Sequence, residues 1–125
     1  MISFNVEDIK LLATLVSNYS DGGSGVREVG LIDSACNAIF QTFGGQELYP
    51  TLEEKGAKLG YLLICNHAFL DGNKRIGLLA MLTFLKINNV NLSYSDKDLI
   101  QLGLGVASGN LGYQQVLNWV ISHKS

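Results

Sequence analysis

The chain has 125 residues, of which 47% are hydrophobic and 16% charged, a composition that fits one compact domain and excludes an intrinsically disordered protein. Its formal net charge of −2 argues against a protein that binds nucleic acid by neutralising phosphates. The longest apolar run, 76–85, falls far short of the roughly 20 residues that span a bilayer, and the acidic N-terminus does not resemble a secretory leader. We therefore expect a single cytoplasmic domain over 1–125, with neither a membrane nor nucleic acid as partner.

The first part of the chain predicts two helices separated by a glycine-rich segment. Asn5 is placed to cap a helix over 6–17, where apolar residues recur every three or four positions. The glycines that follow favour an exposed loop or a short β-hairpin near 22–29. A second helix is predicted over 31–43, with the glycine pair at 44–45 as its stop signal.

Capping boxes mark the starts of two later helices, one at Thr51 with Glu54 and one at Ser95 with Asp98. Four helices are predicted in this part of the chain: 52–65, 73–88, 96–107 and 113–122. No segment alternates with a period of two, so the expected fold is all-α, with about six helices.

The two cysteines, Cys36 and Cys65, lie in apolar helical contexts without CxxC spacing or a cluster of histidines. We expect both to be buried, reduced thiols.

The chemically informative residues concentrate in the turn at 66–76, which reads NHAFLDGNKRI. The free backbone amides and the macrodipole at a helix start bind anions, and Gly72 and Asn73 occupy such a start. Lys74 and Arg75 add positive charge to it. This arrangement predicts a phosphate site in which Gly72 permits close backbone approach and Asn73 donates through its side-chain amide.

Three further side chains complete the predicted site. Asp71 is acidic, whereas the other groups of the site favour anions. It therefore fits a ligand of Mg²⁺, since the metal would bridge the carboxylate to the phosphates. His67 can fold over the same site, and an imidazole that titrates near pH ~6.5 suits removal of a proton from a hydroxyl. Phe69 is expected to point inward and to anchor the loop.

Each of these residues alone also has a plain structural interpretation, as a helix cap, a turn or solvated surface charge. Their combination favours a functional site, because the chain has only two arginines and two histidines and one of each falls in this turn.

The motif at 67–75, H-x-F-x-D-G-N-K-R, resembles the HxFx(D/E)(G/A)N(G/K)R signature of Fic/Doc proteins, and its lysine resembles the Doc (death on curing) toxin branch. The likeness extends to 27–35 and to the Y-P-x-L-x-x-K pattern at 49–55. It implies the small all-helical Fido fold. It also implies these roles: His67 as general base, Asp71 as Mg²⁺ ligand, Gly72 and Asn73 as phosphate-cradling amides, Lys74 and Arg75 as a charge clamp, and Phe69 as buried anchor.

The resemblance leaves two activities to weigh. Most Fic proteins transfer AMP from ATP to a hydroxyl, whereas the Doc branch transfers the terminal phosphate to a threonine of elongation factor Tu. AMP-transferring members usually have glycine in place of Lys74 and a second arginine in place of Leu78. We therefore expect a Doc-like toxin that uses ATP and Mg²⁺ to phosphorylate a protein and block translation, with AMP transfer as the alternative.

Control by a second protein is also implied by the resemblance. Many Fic proteins carry an inhibitory (S/T)xxxE(G/N) helix, and the S-x-x-x-E pattern at 24–28 matches it only in part. A small antitoxin whose disordered C-terminal segment binds the toxin is the expected partner. Arg27, in the same segment, has two interpretations: it contacts the target or nucleotide, or it pairs with Glu28 or another acid.

Two functions of other classes remain as rivals, a catalytically idle binding module and a helix-turn-helix DNA-binding protein. The complete motif at 67–75 argues against an idle binding module, and the net charge of −2 argues against a DNA-binding protein. The sequence also departs from the pattern of the family it resembles at Ala68, where proline is frequent, and at Ile76 and Gly77, where Thr-Ala is common in Doc proteins. Gly77 is expected to weaken its helix by up to ~1 kcal/mol relative to alanine.

Overall fold

The computed structural model describes residues 1–17 and 25–125. The described elements are six helices and one hairpin: α1 (Val6–Ser17), α2 (Val29–Ala38), β1 (Thr42–Phe43), β2 (Gln46–Glu47), α3 (Leu52–Cys65), α4 (Asn73–Ile87), α5 (Asp96–Ala107) and α6 (Tyr113–Ser122). The all-α prediction is confirmed. No helix in these described residues is long and apolar enough to cross a membrane.

Local capping explains where several helices begin. The amide of Asp8 donates to Asn5 Oδ1 at 2.9 Å, and reciprocal capping boxes open α3 and α5. Each cap satisfies amides that have no partner within their helix. The predicted starts of α1, α3 and α5 are confirmed for this reason.

Helices α3 and α4 form the centre of the fold, and α1, α2, α5 and α6 pack around them. They approach closely because glycines face each other: a Cβ on Gly77 would lie 2.9 Å from the carbonyl oxygen of Gly60 and 2.6 Å from Ile64 Cγ1. The expectation that Gly77 only weakens its helix is therefore incomplete, since an alanine would push α4 away from α3.

The core between these helices is apolar and reaches the turn at 66–72. Its largest fully buried side chains include Phe84, Ile9, Ile32 and Met81, and Phe69 from the turn joins them with only 2% of its surface exposed. Burying a side chain of this size stabilises the fold by roughly 1.5–3 kcal/mol. Phe69 therefore anchors the turn, as its position in the sequence predicts.

The second helix ends at Ala38, not at residue 43, and the segment that follows forms the hairpin. Gly44 and Gly45 both have positive φ, +60° and +81°, as a tight two-residue hairpin turn requires. The glycine pair thus makes a β-turn and is not a helix stop. Buried Lys55 holds the hairpin by donating to Glu47 Oε1 at 2.9 Å and to the carbonyl of Tyr49.

This hairpin lies later in the chain than the one considered near 22–29. Of that earlier segment, 22–24 lie outside the described residues, and Val29 already belongs to α2. Val26 forms an isolated antiparallel bridge with Phe69.

The two cysteines differ. Cys36 is buried as expected, and burial, with the nearby carboxylates of Asp33 and Asp8, raises its pKa to about 11. Both are free thiols, but the predicted burial of Cys65 is wrong, because this side chain is exposed. Leu63 and Ile64 take the inward positions at the end of α3, and the next residue along the helix turns outward.

Candidate active site

The turn between α3 and α4 is bounded by two residues in the left-handed conformation. Asn66 caps α3 through its N–H, which donates to the Leu62 carbonyl at 2.8 Å, and His67 follows with φ +53°. Gly72, the N-cap of α4, has φ +78°. Glycine adopts this conformation without cost, whereas histidine adopts it only where its surroundings hold it.

The side chain of Asn73 closes the turn on itself. Its Oδ1 accepts from the Phe69 N–H at 3.0 Å, and its Nδ2 donates to the Phe69 carbonyl at 2.9 Å. Both polar ends of the amide are therefore engaged with the loop backbone. Sequence reasoning predicts Asn73 as a phosphate donor and misses these hydrogen bonds, which fix the shape of the loop at 69–73.

The start of α4 presents backbone amides that the helix does not use. Its first hydrogen bond runs from Ile76 N–H to the Gly72 carbonyl at 2.8 Å, so the amides of Asn73, Lys74 and Arg75 precede the helical ladder. The N-cap residue, Gly72, has no side chain that could accept hydrogen bonds from these amides. The amide of Gly72 itself, expected to cradle phosphate, donates to Asp71 Oδ1 at 2.8 Å.

An open cleft of about 450 Å³ brings these groups together. It is lined by Ile64, His67, Leu70, Asp71, Gly72, Asn73, Lys74, Arg75 and Ala107. Every predicted motif residue except Phe69 therefore borders one cleft, and Phe69 lies beneath it in the core. A larger cavity of about 570 Å³ beside the N-terminus is less suited to an anion, because its lysine, Lys55, is already paired with Glu47.

Helix α5 supports the cleft from one side. A Cβ on Gly103 would lie 3.0 Å from Lys74 Cγ and 2.9 Å from Leu78 Cδ1, so the bare glycine makes room for the lysine stem. Ala107, one helical turn further, lines the cleft. Sequence reasoning predicts this helix but misses its place beside the cleft; two small residues spaced four apart on one face are the signal that could have found it.

The predicted ion pair of Arg27 with Glu28 or another acid is not found within the described residues, and its predicted contact with target or nucleotide stays a prediction. The Arg27 Nε donates to the His67 carbonyl at 2.7 Å, and a terminal nitrogen lies 3.4 Å from the Asn66 carbonyl. Arg27 thus contacts the backbone of the turn that carries His67. The inhibitory pattern at 24–28 begins at Ser24, which lies outside the described residues.

A model of the Fic/DOC family matches residues 3–85. The chain belongs to this family. It is also 46% identical over 68 residues to Toxin Doc of Mycolicibacterium smegmatis, an alignment that covers 54% of this chain and 52% of that protein. The chain spans about half the length of the curated relative it matches. The family match includes the whole turn at 66–72 and the start of α4, and it leaves α5 and α6 beyond its end.

The family's expected metal can be tested against the residues at the cleft. No group of three or more histidine, cysteine, aspartate or glutamate side chains is placed to hold a metal ion in the part of the chain that the structure describes. Asp71 is exposed and borders the cleft as a single carboxylate. That donor set fits Mg²⁺, which proteins often bind through one or two carboxylates together with substrate phosphates.

Proposed function

We propose that this Fic/DOC chain is a Doc-like toxin that transfers the γ-phosphate of ATP to a hydroxyl of a protein, by family resemblance a threonine of elongation factor Tu. One observation carries the proposal: His67 borders the same cleft as the unused amides at the start of α4, where Lys74 and Arg75 also lie. A base and an anion site thus face one space, which suits a phosphate and an attacking hydroxyl.

In this mechanism the amides of 73–75 and the two cations hold the γ-phosphate of ATP. His67 removes the proton from the target hydroxyl, whose oxygen bonds to the γ-phosphorus. The bond from that phosphorus to the β,γ-bridging oxygen breaks, and ADP leaves. Phosphoryl transfer depends mainly on alignment and on stabilisation of charge on the moving group, and both are supplied by backbone and side chains of one short segment.

Asp71 would hold Mg²⁺ beside the phosphates, and a metal there would neutralise part of their charge. The hydrogen bond from the Gly72 amide to Asp71 Oδ1 fixes the carboxylate at the entrance to α4. This hydrogen bond would orient the carboxylate toward the metal before it binds.

The environment of Leu78 favours phosphate transfer over AMP transfer. The side chain is only 8% exposed and packs toward Gly103 of α5, at the position where AMP-transferring relatives usually have a second arginine. An apolar side chain cannot clamp the distal phosphates of ATP. AMP transfer by the same motif with a reversed nucleotide remains the alternative.

An antitoxin is the proposed partner. Leu70, which lines the cleft, is 67% exposed, and Leu104, on the α5 helix that supports the cleft, is 52% exposed. A partner segment that buries them would cover the cleft at the same time. Co-expression with the protein encoded by an adjacent gene is expected to yield a complex; purification of free, harmless toxin would contradict this part of the proposal.

The deciding experiment incubates the purified protein with elongation factor Tu and ATP labelled at either the α- or the γ-phosphate. We expect label only from the γ position, and none with His67→Ala. His123→Ala is the matched control, because it removes the other histidine, which stacks on Trp119 away from the motif. Label from the α position would establish AMP transfer, and no label from a folded protein on any bacterial target would favour the idle binding module.

A further inference from the structure

His67 is held in an unusual backbone conformation by tethers from outside its own turn. Its φ of +53° is uncommon for a residue with a Cβ and persists only where neighbouring groups enforce it. The residue follows the cap of α3 directly, and its side chain is exposed to the cleft. The direction of the imidazole therefore depends on what fixes the carbonyl groups on either side of it.

The segment at 25–28 provides most of these tethers. Its backbone pairs with the turn: the amide of Arg27 donates to the Ala68 carbonyl at 2.8 Å, and the Leu70 amide donates to the Gly25 carbonyl at 2.8 Å. The Arg27 side chain then reaches across to the His67 carbonyl at 2.7 Å and toward the Asn66 carbonyl at 3.4 Å. One residue thus contacts three successive carbonyl groups, those of 66, 67 and 68.

The chemistry of arginine suits this position. Carbonyls at the end of a helix have no partner within the helix and carry the negative end of its dipole. A guanidinium offers several donors in a fixed planar fork, whereas a lysine ammonium is a single flexible point of charge. Only arginine can satisfy both carbonyls with one rigid group.

We propose that Arg27 is a positioning residue that orients His67 by holding the backbone carbonyls of Asn66 and His67. The catalytic consequence rests on the proposed function, in which His67 removes the proton from the target hydroxyl. The structural part, that Arg27 orders residues 66–70, does not depend on which group is transferred.

The test compares Arg27→Ala and Arg27→Lys with the wild-type chain. Lys10→Ala is the control, since it also removes one positive charge, from a surface ion pair with Glu7 at 3.7 Å. Amide hydrogen exchange of 66–70 is measured for each variant, together with kcat and KM for ATP in the transfer assay. We expect faster exchange confined to 66–70 in Arg27→Ala and a ~10- to 100-fold lower kcat with KM for ATP nearly unchanged, because small misplacement of a catalytic group lowers the rate by such factors. Arg27→Lys should be intermediate, and Lys10→Ala should match the wild type.

Unchanged exchange at 66–70 with a raised KM for ATP or for the target would overturn the proposal and make Arg27 a direct contact. Equally accelerated exchange throughout the chain would also overturn it, because Arg27 would then stabilise the whole fold and not the turn. If the wild-type protein transfers no group, the proposed function fails, and the exchange measurements still decide whether Arg27 orders His67.

Discussion

Replacement of Gly77 by alanine tests the close contact between α3 and α4. The new Cβ would lie 2.9 Å from the Gly60 carbonyl oxygen and 3.0 Å from the Ile64 backbone nitrogen. Both are main-chain atoms of α3, so they cannot rotate away and the helices must separate. Overpacking of this kind costs roughly 1–3 kcal/mol, whereas alanine gains up to ~1 kcal/mol over glycine in helix propensity. We expect a net loss of about 1 kcal/mol in the free energy of unfolding.

Urea unfolding of the purified variant measures this change, with Gly30→Ala as the matched control. Gly30 lies in α2, and the nearest atom to its added Cβ is Glu28 Oε1 at an ordinary 3.5 Å. Only the propensity gain should therefore appear there, a stabilisation of at most ~1 kcal/mol. If Gly77→Ala is stabilised as much as Gly30→Ala, the contact between α3 and α4 is not the reason for the glycine, and our reasoning is refuted.

Three further predictions concern the cleft, the pH dependence of stability and the thiols. Gly103→Ala should displace the Lys74 stem and raise KM for ATP several-fold in steady-state kinetics. Circular dichroism should show little change in helix content. An unchanged KM would mean that α5 does not shape the cleft. The hydrogen bond from Lys124 lowers the pKa of Glu53 from its ordinary value of 4.5. The pair therefore stabilises the fold at pH values above 4.5, and this stabilisation is lost as the pH falls through the lowered pKa. Lys124→Ala should therefore reduce stability at pH 7 by less than ~1 kcal/mol and have no effect in strong acid, as urea titrations at both pH values would show. A thiol reagent should modify exposed Cys65 before Cys36, although desolvation raises the pKa of Cys65, because Cys36 is buried with a pKa of about 11. Equal rates for the two thiols in the native protein would contradict the burial of Cys36.

Local signals in the sequence were sufficient for most of the helices and for the composition of the cleft. The capping boxes at Thr51 and Ser95 act over three residues, so their effect is readable without the fold. The motif at 67–75 was readable for the same reason: its groups lie on one turn and one helix start. The glycine pair at 44–45 does not distinguish a helix stop from a hairpin turn, because both use glycine with positive φ.

Several of the features that sequence reasoning misses depend on contacts between distant residues. Arg27 is 40 positions from the His67 carbonyl that it contacts, and no local pattern reports such a pair. The same holds for Gly103 beside Lys74 and for Gly77 against Gly60. In each case the residue type is ordinary and its role arises only from what the tertiary fold brings next to it.

The position of the turn between two helices that are consecutive in the chain has a consequence for folding. Helices α3 and α4 and the seven residues that join them form a local unit, and contacts of short sequence separation form fastest. The cation and amide cluster can therefore take shape early in folding. The hydrogen bond from Arg27 to the His67 carbonyl closes a much longer loop. Gly103, which makes room for the Lys74 stem, belongs to α5, and α5 is synthesised after α4. We therefore expect the cleft to form in part before α5 packs beside Lys74 and completes its support.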